Sequence, residues 1–599
     1  MKKLLFILPI IAALLLWSCM KPNVDEVARE GSRQIKSMND LVVNPDFDWK
    51  TTRTINVDIK LPANLNVLPL TISDKEGKRV YFTGYPENES NELKTLITIP
   101  TYEKDLKISF AKESKVSSRE VPIQDNKLVY NLKNEIQGVR MVCDMTGLKT
   151  YSQGGWHAPA HGNNAGVLRD ARFDDVFPTG LVIGDPNHFT MTFTSAQAIA
   201  HFLPAGGPSH ILAQSTTDPN NAGQAGNWAG QIAAAVMNVE FNDKGYLGSG
   251  PNKLKELVFL NGPFQGMSIE NFLAIANKAL GGGGLSGFSI NEIAYAAEQV
   301  NLNFENGGDL NYFTCPTNSG GNGTGPTEVH STGTLAYEDL WPWKGDYDFN
   351  DLVINYDFDI FKNVHEQVRH IKATFVVYAF GASFYNGFGF ELPGVSPDAL
   401  LSVTGYKLKS SSIIHLRANG LEAGQPHATV IVFDDAFDVM QHPGMGIGVN
   451  TDPAAPYVTP DTLVIEMSFM NNGVPAPGGP VTFTQLNIGN FNPFLIVNQE
   501  RGVEVHLPGY PPTALADPSL IGTGEDDGNH GPTRDYRTHT NLPWAINIPD
   551  VFEYPIEKQD ITGAYNHFAA WAESDGQLYP DWYKDKPGYR NPAMIYHHQ

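Results

Sequence analysis

Residues 337–360 read YEDLWPWKGDYDFNDLVINYDFDI, and the fold is decided where that stretch changes character. Seven acidic side chains and two tryptophans fall within its 24 residues. From Leu352 onward, Leu352, Ile354, Tyr356, Phe358 and Ile360 alternate with Val353, Asn355, Asp357 and Asp359. That is the period of two of a strand buried on one face. A crowded acidic loop therefore runs directly into a strand.

Within the loop, Asp346, Asp348 and Asn350 place an oxygen at every second residue, and Asp351 adds a further carboxylate. A hard cation such as Ca2+ takes about six to eight oxygens at about 2.3–2.6 Å, and a tight loop of this pattern supplies several. Glu338 and Asp339 are the nearest upstream contributors. The pattern matches the first half of an EF-hand loop, but Asp351 stands where that loop needs glycine. Asp357 stands where its closing glutamate would be, on the expected strand. The expectation is a calcium-type site at the start of a strand, with a solvated acidic turn as the alternative. Asp434, Asp435 and Asp438 (FDDAFD) offer either a second contribution or a polar turn. Trp341 and Trp343, two apart on an extended segment, would project to one side, as packing beside the loop or as a sugar-stacking platform.

Outward from this stretch, the chain of 599 residues is too long for one core, so several domains are expected. Residues 327–599 read as a β-sandwich, with strands at 351–360, 371–379, 388–392, 400–408, 428–433, 461–470 and 494–497. A short helix at 565–572 and an aromatic tail that packs back on the sandwich complete it. Residues 317–326 are a Gly/Asn/Thr linker. Residues 136–316 carry helical signals, with Ser268 as an N-cap and a capping box at Ser289–Glu292, and form a middle α+β module. Residues 46–135 show six short alternating runs, a smaller β-sandwich. The fold class is mainly β, multi-domain, with two β-sandwich-like modules and a middle α+β module.

The N-terminus has two lysines, then 13 apolar residues at 4–16, too few to span a bilayer at about 1.5 Å per residue. It reads as a cleaved export signal over residues 1–19, followed by a polar tether at 20–45. Leu16-Trp17-Ser18-Cys19 resembles a bacterial lipobox, which implies lipidation at Cys19; a plain secretory signal with an incidental cysteine is the alternative. Asp25 and Glu26 resemble the acidic signal that sends lipoproteins of the Bacteroidetes to the outer face of the outer membrane. The membrane is thus an expected partner through the N-terminal lipid. An exported compartment permits disulfides. Cys143 and Cys315 are either bridged, closing a loop worth on the order of 5 kcal/mol, or two free thiols.

A net charge of −23 argues against a nucleic-acid partner. No enzyme is expected. The histidines of HEQVRH (365–370) are five apart, so they do not share a helical turn as HExxH requires, and no G-x-S-x-G is present.

The segment EDLWPWKGDYDFNDLVINYDF (338–358) resembles the signature of LruC-domain proteins of Bacteroidetes and related bacteria. The resemblance continues through NGFGFELPGV (386–395), NPFLIVNQERGVEVHLPGYPPTALAD (492–517), NLPWAINIPDVFEYPIEKQDIT (541–562) and YNHFAAWAESDGQLYPDWY (565–583). It implies a surface or outer-membrane lipoprotein whose domain has no established enzymatic role. It also implies Asp346, Asp348, Asn350 and Asp351 as calcium ligands. A structural or adhesive role follows, with surface proteins or glycans as further partners; a glycan-binding lipoprotein in nutrient capture is the alternative.

Overall fold

The computed structural model describes residues 35–598, apart from 61–69, 85–91, 113–114, 133–144, 220–224, 249–252, 261, 306, 316–326, 364–365, 411, 472 and 527–534. The export signal, Cys19, most of the tether, Cys143 and the linker lie outside the described residues. Cys315 is disulfide-bonded.

The alternation from Leu352 builds the strand Leu352–Lys362, which is the centre of a ten-stranded sheet. On one side it pairs with Val368–Ala379, followed by Asp461–Ser468 and Ser402–Thr404. On the other it pairs antiparallel along its whole length with Thr327–Tyr337, from Thr327 against Lys362 to Tyr337 against Leu352. The acidic loop is therefore the connection of a long hairpin, not the lead-in to a first strand. Against this sheet packs a four-stranded one, ordered Ala428–Phe433, Gly387–Leu392, Asn492–Ile496 and Glu504–His506. Inward-facing aromatics join the layers: Phe358 meets Phe390 at 5.6 Å and Phe375 meets Phe388 at 5.5 Å between ring centroids. Such edge-to-face pairs add to the burial of their area.

The N-terminal module is not separate. Its strands Val80–Gly84, Leu70–Ser73, Asp105–Lys112 and Lys115–Pro122 continue the ten-stranded sheet, with Val329 beside Phe82 and Glu328 beside Thr83. Its remaining strands form a three-stranded sheet with Thr52–Lys60 central, antiparallel to Glu92–Pro100 and parallel to Lys127–Asn131. The sequence fragments into two sandwich-like units because pairing across some 240 residues leaves no local trace.

The middle module has its own core, with Trp156, Trp228, Phe241 and Phe272 fully buried. Helix Ile269–Gly281 starts where the Ser268 hydroxyl accepts from Asn271 N–H and stops at Gly282 in the left-handed conformation. Helix Ile290–Leu302 opens on the Ser289–Glu292 capping box. Arg369 of the large sheet reaches this module, donating to Glu292 at 3.2 Å and lying 4.5 Å over the Phe288 ring.

The outer face of the hairpin is covered as well. Ala336, Val353 and Ala379 pack against Phe568, Trp571, Trp582 and Tyr583, all essentially buried. The same layer takes in Met38, Leu41, Val43, Phe47 and Trp49. Residues 38–45 are thus docked chain, which corrects the tether reading over that part. Met38 N–H donates to Asp560 and Val42 N–H to Glu573, both at 2.8 Å. Apolar residues this sparse escape a period-based reading; they are held by an aromatic layer some 500 residues downstream.

The smaller sheet carries a buried ionic network. Arg501 bridges Glu422 and Glu504, and Glu504 also accepts from Thr513 N–H at 2.9 Å and meets His506 Nε2 at 2.8 Å. Burial alone would raise the Glu504 carboxyl, but His506, Arg501 and Thr513 outweigh it and hold it down at about 2. A carboxylate with a depressed folded pKa contributes stability above its unfolded value and loses it as pH falls through the folded one. Thermal unfolding followed from pH 7 to pH 2 should show stability falling between about 4.3 and 2. Glu504→Gln should cost about 3–5 kcal/mol at neutral pH and flatten that acid limb.

Candidate metal centre

The hairpin loop is shaped around Glu338, which follows strand Thr327–Tyr337 and is completely buried. Its own N–H donates to the Trp544 carbonyl at 2.8 Å. Tyr347 and Phe349 adopt left-handed backbone conformations, φ 61° and 51°, which side chains other than glycine seldom take. Both amides consequently turn onto the carboxylate: Tyr347 N–H donates to Glu338 Oε2 at 3.1 Å and Phe349 N–H to Oε1 at 2.7 Å. The chain passes so close at Gly345 that a Cβ there would lie 1.9 Å from Glu338 Oε2.

This folding gathers acids. Glu338, Asp346 and Asp348 each present a ligand atom within 4.8 Å of the others. Asp348 is buried, accepts from Asn350 N–H at 3.1 Å, and takes Lys558 N–H at 2.7 Å. Asp351 accepts from Asp339 N–H at 2.8 Å, and Asp339 accepts from Asn386 Nδ2 at 2.8 Å. A pocket of about 320 Å³ opens here, with Asp339, Asp346, Asp351 and Glu557 among its walls.

Asn350 is fully buried; its Nδ2 donates to the Pro555 carbonyl at 3.1 Å, while Oδ1 has no partner. Glu557 Oε2 is likewise buried and unpartnered. Both oxygens crowd Gly381, where a Cβ would lie 2.0 Å from Asn350 Oδ1 and 2.7 Å from Glu557 Oε2. Gly381 N–H in turn donates to the Asn350 carbonyl at 2.7 Å.

The electrostatics lean one way, with the Lys558 charge partly relieving Asp346 and Glu557. Burial pushes all six carboxyls upward, reinforced for most by their neighbours' charge. Glu338 and Asp351 stand well above the usual range; Asp348 is pushed up to about 8 and Glu557 to about 7. Among the described residues, none of the six is ion-paired with a lysine or arginine. An all-oxygen donor set with two orphaned oxygens is the chemistry of a hard cation site.

All six residues expected from the sequence thus converge on this loop, though only Glu338, Asp346 and Asp348 form the tight triad. Glu557 was missed. It lies about 200 residues away in EYPIEKQD, with nothing local to distinguish it from Glu553. FDDAFD is a polar turn: Asp434 accepts from Lys409 and Ser410 N–H, and Asp435 caps a one-turn helix. The two tryptophans do not share a side. Trp343 N–H donates back to the Leu340 carbonyl at 2.7 Å, a turn that breaks the extended geometry. Trp341 is buried on Tyr536, while Trp343 is 65% exposed. Of HEQVRH, His365 lies outside the described residues, and His370 pairs with Glu466 on the neighbouring strand.

Residues 366–583 match the model of a family described as a domain of unknown function, DUF4842. The match contains Gly381, Asn386 and Glu557 and begins downstream of the acidic loop. It takes in four of the five segments with LruC resemblance, but carries a different family name. No curated protein matches the chain. Among solved structures, one described as a "Putative lipoprotein from Bacteroides ovatus" aligns over 48% of this chain and 80% of that one, at 18% identity and a TM-score of 0.37. Among the described residues, no helix is long and apolar enough to cross a membrane.

Glu338→Ala should orphan two buried amides and destabilise the protein by about 2–4 kcal/mol, measured by urea unfolding; an unchanged midpoint would contradict the role given to this carboxylate.

Proposed function

We propose that the chain is a lipid-anchored cell-surface protein whose C-terminal sandwich is clamped by calcium, with a structural or adhesive role and no catalysis. The observation that carries the metal reading is the fully buried Asn350 Oδ1, unpartnered beside a cluster of carboxylates in which the Lys558 charge reaches Asp346 and Glu557 but forms no ion pair with them. Glu338, Asp346, Asp348, Asn350 and Glu557 would hold the ion, with Asp339 and Asp351 next to them. A divalent cation would offset the mutual repulsion of these acids and link the hairpin, the Gly381 turn and the 555–558 segment. An EF-hand-like sensor is not supported, since both flanks are paired strands. The anchoring is supported by the lipobox-like LWSC at 16–19, the outer-membrane placement by Asp25 and Glu26, and the LruC-type reading by the five segments quoted above.

Calcium at a hundredfold excess over its Kd should raise unfolding stability by about 2.7 kcal/mol over chelator. Asn350→Leu and Glu557→Gln should lose most of that gain, while Asp435→Ala keeps it. Superimposable curves in calcium and chelator would remove the metal claim. Cys19→Ala should release the protein from the membrane fraction and abolish incorporation of labelled fatty acid; continued labelling would contradict the anchor.

A further inference from the structure

A larger cleft, of about 560 Å³, is lined by residues 47–54, by Thr98, Thr101 and Asn126, by the turns around Asn490 and Tyr510, and by residues 545–547 with 575–576. It shares no lining residue with the pocket over the acid cluster.

Its walls are rich in uncharged side chains that donate and accept equally, among them Thr52, Thr98, Asn126 and Asn490. The four charged groups balance, and each is already engaged. Lys50 lies 3.7 Å from Asp48. Arg53 donates to Asn126 Oδ1 at 3.1 Å and to the Glu103 carbonyl at 2.7 Å, and Asp575 accepts from Asn44 at 2.9 Å. Both cations of the lining are held within the protein, and the polar walls are interleaved with apolar ones such as Phe491 and Leu507. Arg53 Nε, Thr101 Oγ1 and Asp575 Oδ1 lack a partner but are buried within the walls rather than open to the cleft. Tyr510 adds half-buried ring surface, the complement of the C–H face of a sugar ring.

We propose that this cleft binds a neutral oligosaccharide of roughly two or three sugar units, the size such a volume accommodates. Hydroxyls that both donate and accept match threonine and asparagine walls, and the balanced charges select against acidic sugars. The cleft is structurally separate from the metal centre, so the inference does not rest on the calcium reading.

The test is an array of neutral hexose, N-acetylhexosamine and pentose oligomers, probed with the full chain in calcium and again in chelator. Titration calorimetry then follows with the best-bound member. At least one neutral oligomer should bind in calcium. Asn490→Ala and Thr52→Val should each weaken binding about tenfold, the loss of one hydrogen bond, with unchanged melting temperature. The proposal is overturned if no neutral oligomer binds in calcium, if both variants bind as the parent does, or if sialylated or sulfated oligomers bind better. Binding that persists in chelator keeps the cleft and separates it from the clamp.

Discussion

Carboxylates buried at the mouth of the central hairpin govern how the surrounding layers assemble. Charged groups removed from water cost several kcal/mol each unless paired. Glu338, Asp348 and Asp351 are drawn into one place without a lysine or arginine to pair them. The loop accepts two left-handed non-glycine residues to satisfy Glu338 with backbone amides, and it needs Gly345 and Gly381 to let the oxygens approach. Left-handed residues cost on the order of 1–3 kcal/mol each. Such an arrangement makes physical sense if a cation supplies the missing charge.

The position of that centre explains its reach. The hairpin strands are the spine of the ten-stranded sheet, packed on one face against the four-stranded sheet and on the other against the C-terminal aromatic layer. One of them also carries the N-terminal module through the pairing of Val329 with Phe82. Asn386 ties the acids to the smaller sheet, donating to Asp339 and accepting from Asn498 N–H at 3.0 Å. Asn350 and Asp348 tie them to the segment beneath the aromatic layer, through Pro555 and Lys558. A local change at the loop is therefore transmitted to both layers and to the junction with the N-terminal module.

What was legible in the sequence was local. Asp346, Asp348 and Asn350 stand out because a tight loop concentrates ligands within six residues, and Leu352 to Ile360 alternate without interruption. The partner strand Thr327–Tyr337 was not expected, because its inward positions include Ser331 and Gly333. Gly333 is there for packing: a Cβ would come within 2.6 Å of the Tyr356 hydroxyl. Capped helices such as Ile290–Leu302 were readable from Ser289 and Glu292 alone, whereas Ala165–Val176 was not, its polar surface masking any apolar face. Glu557, the docking of residues 38–49 and the shared sheet all depend on contacts across hundreds of residues. No period or spacing encodes those.

A calcium clamp requires an ion among these oxygens. Long-wavelength anomalous diffraction from crystals grown in calcium measures this without reference to stability. An anomalous peak is expected within ligand distance of Asp346, Asp348, Asn350 Oδ1 and Glu557 Oε2. A well-ordered loop in saturating calcium with no peak at that position would contradict the clamp.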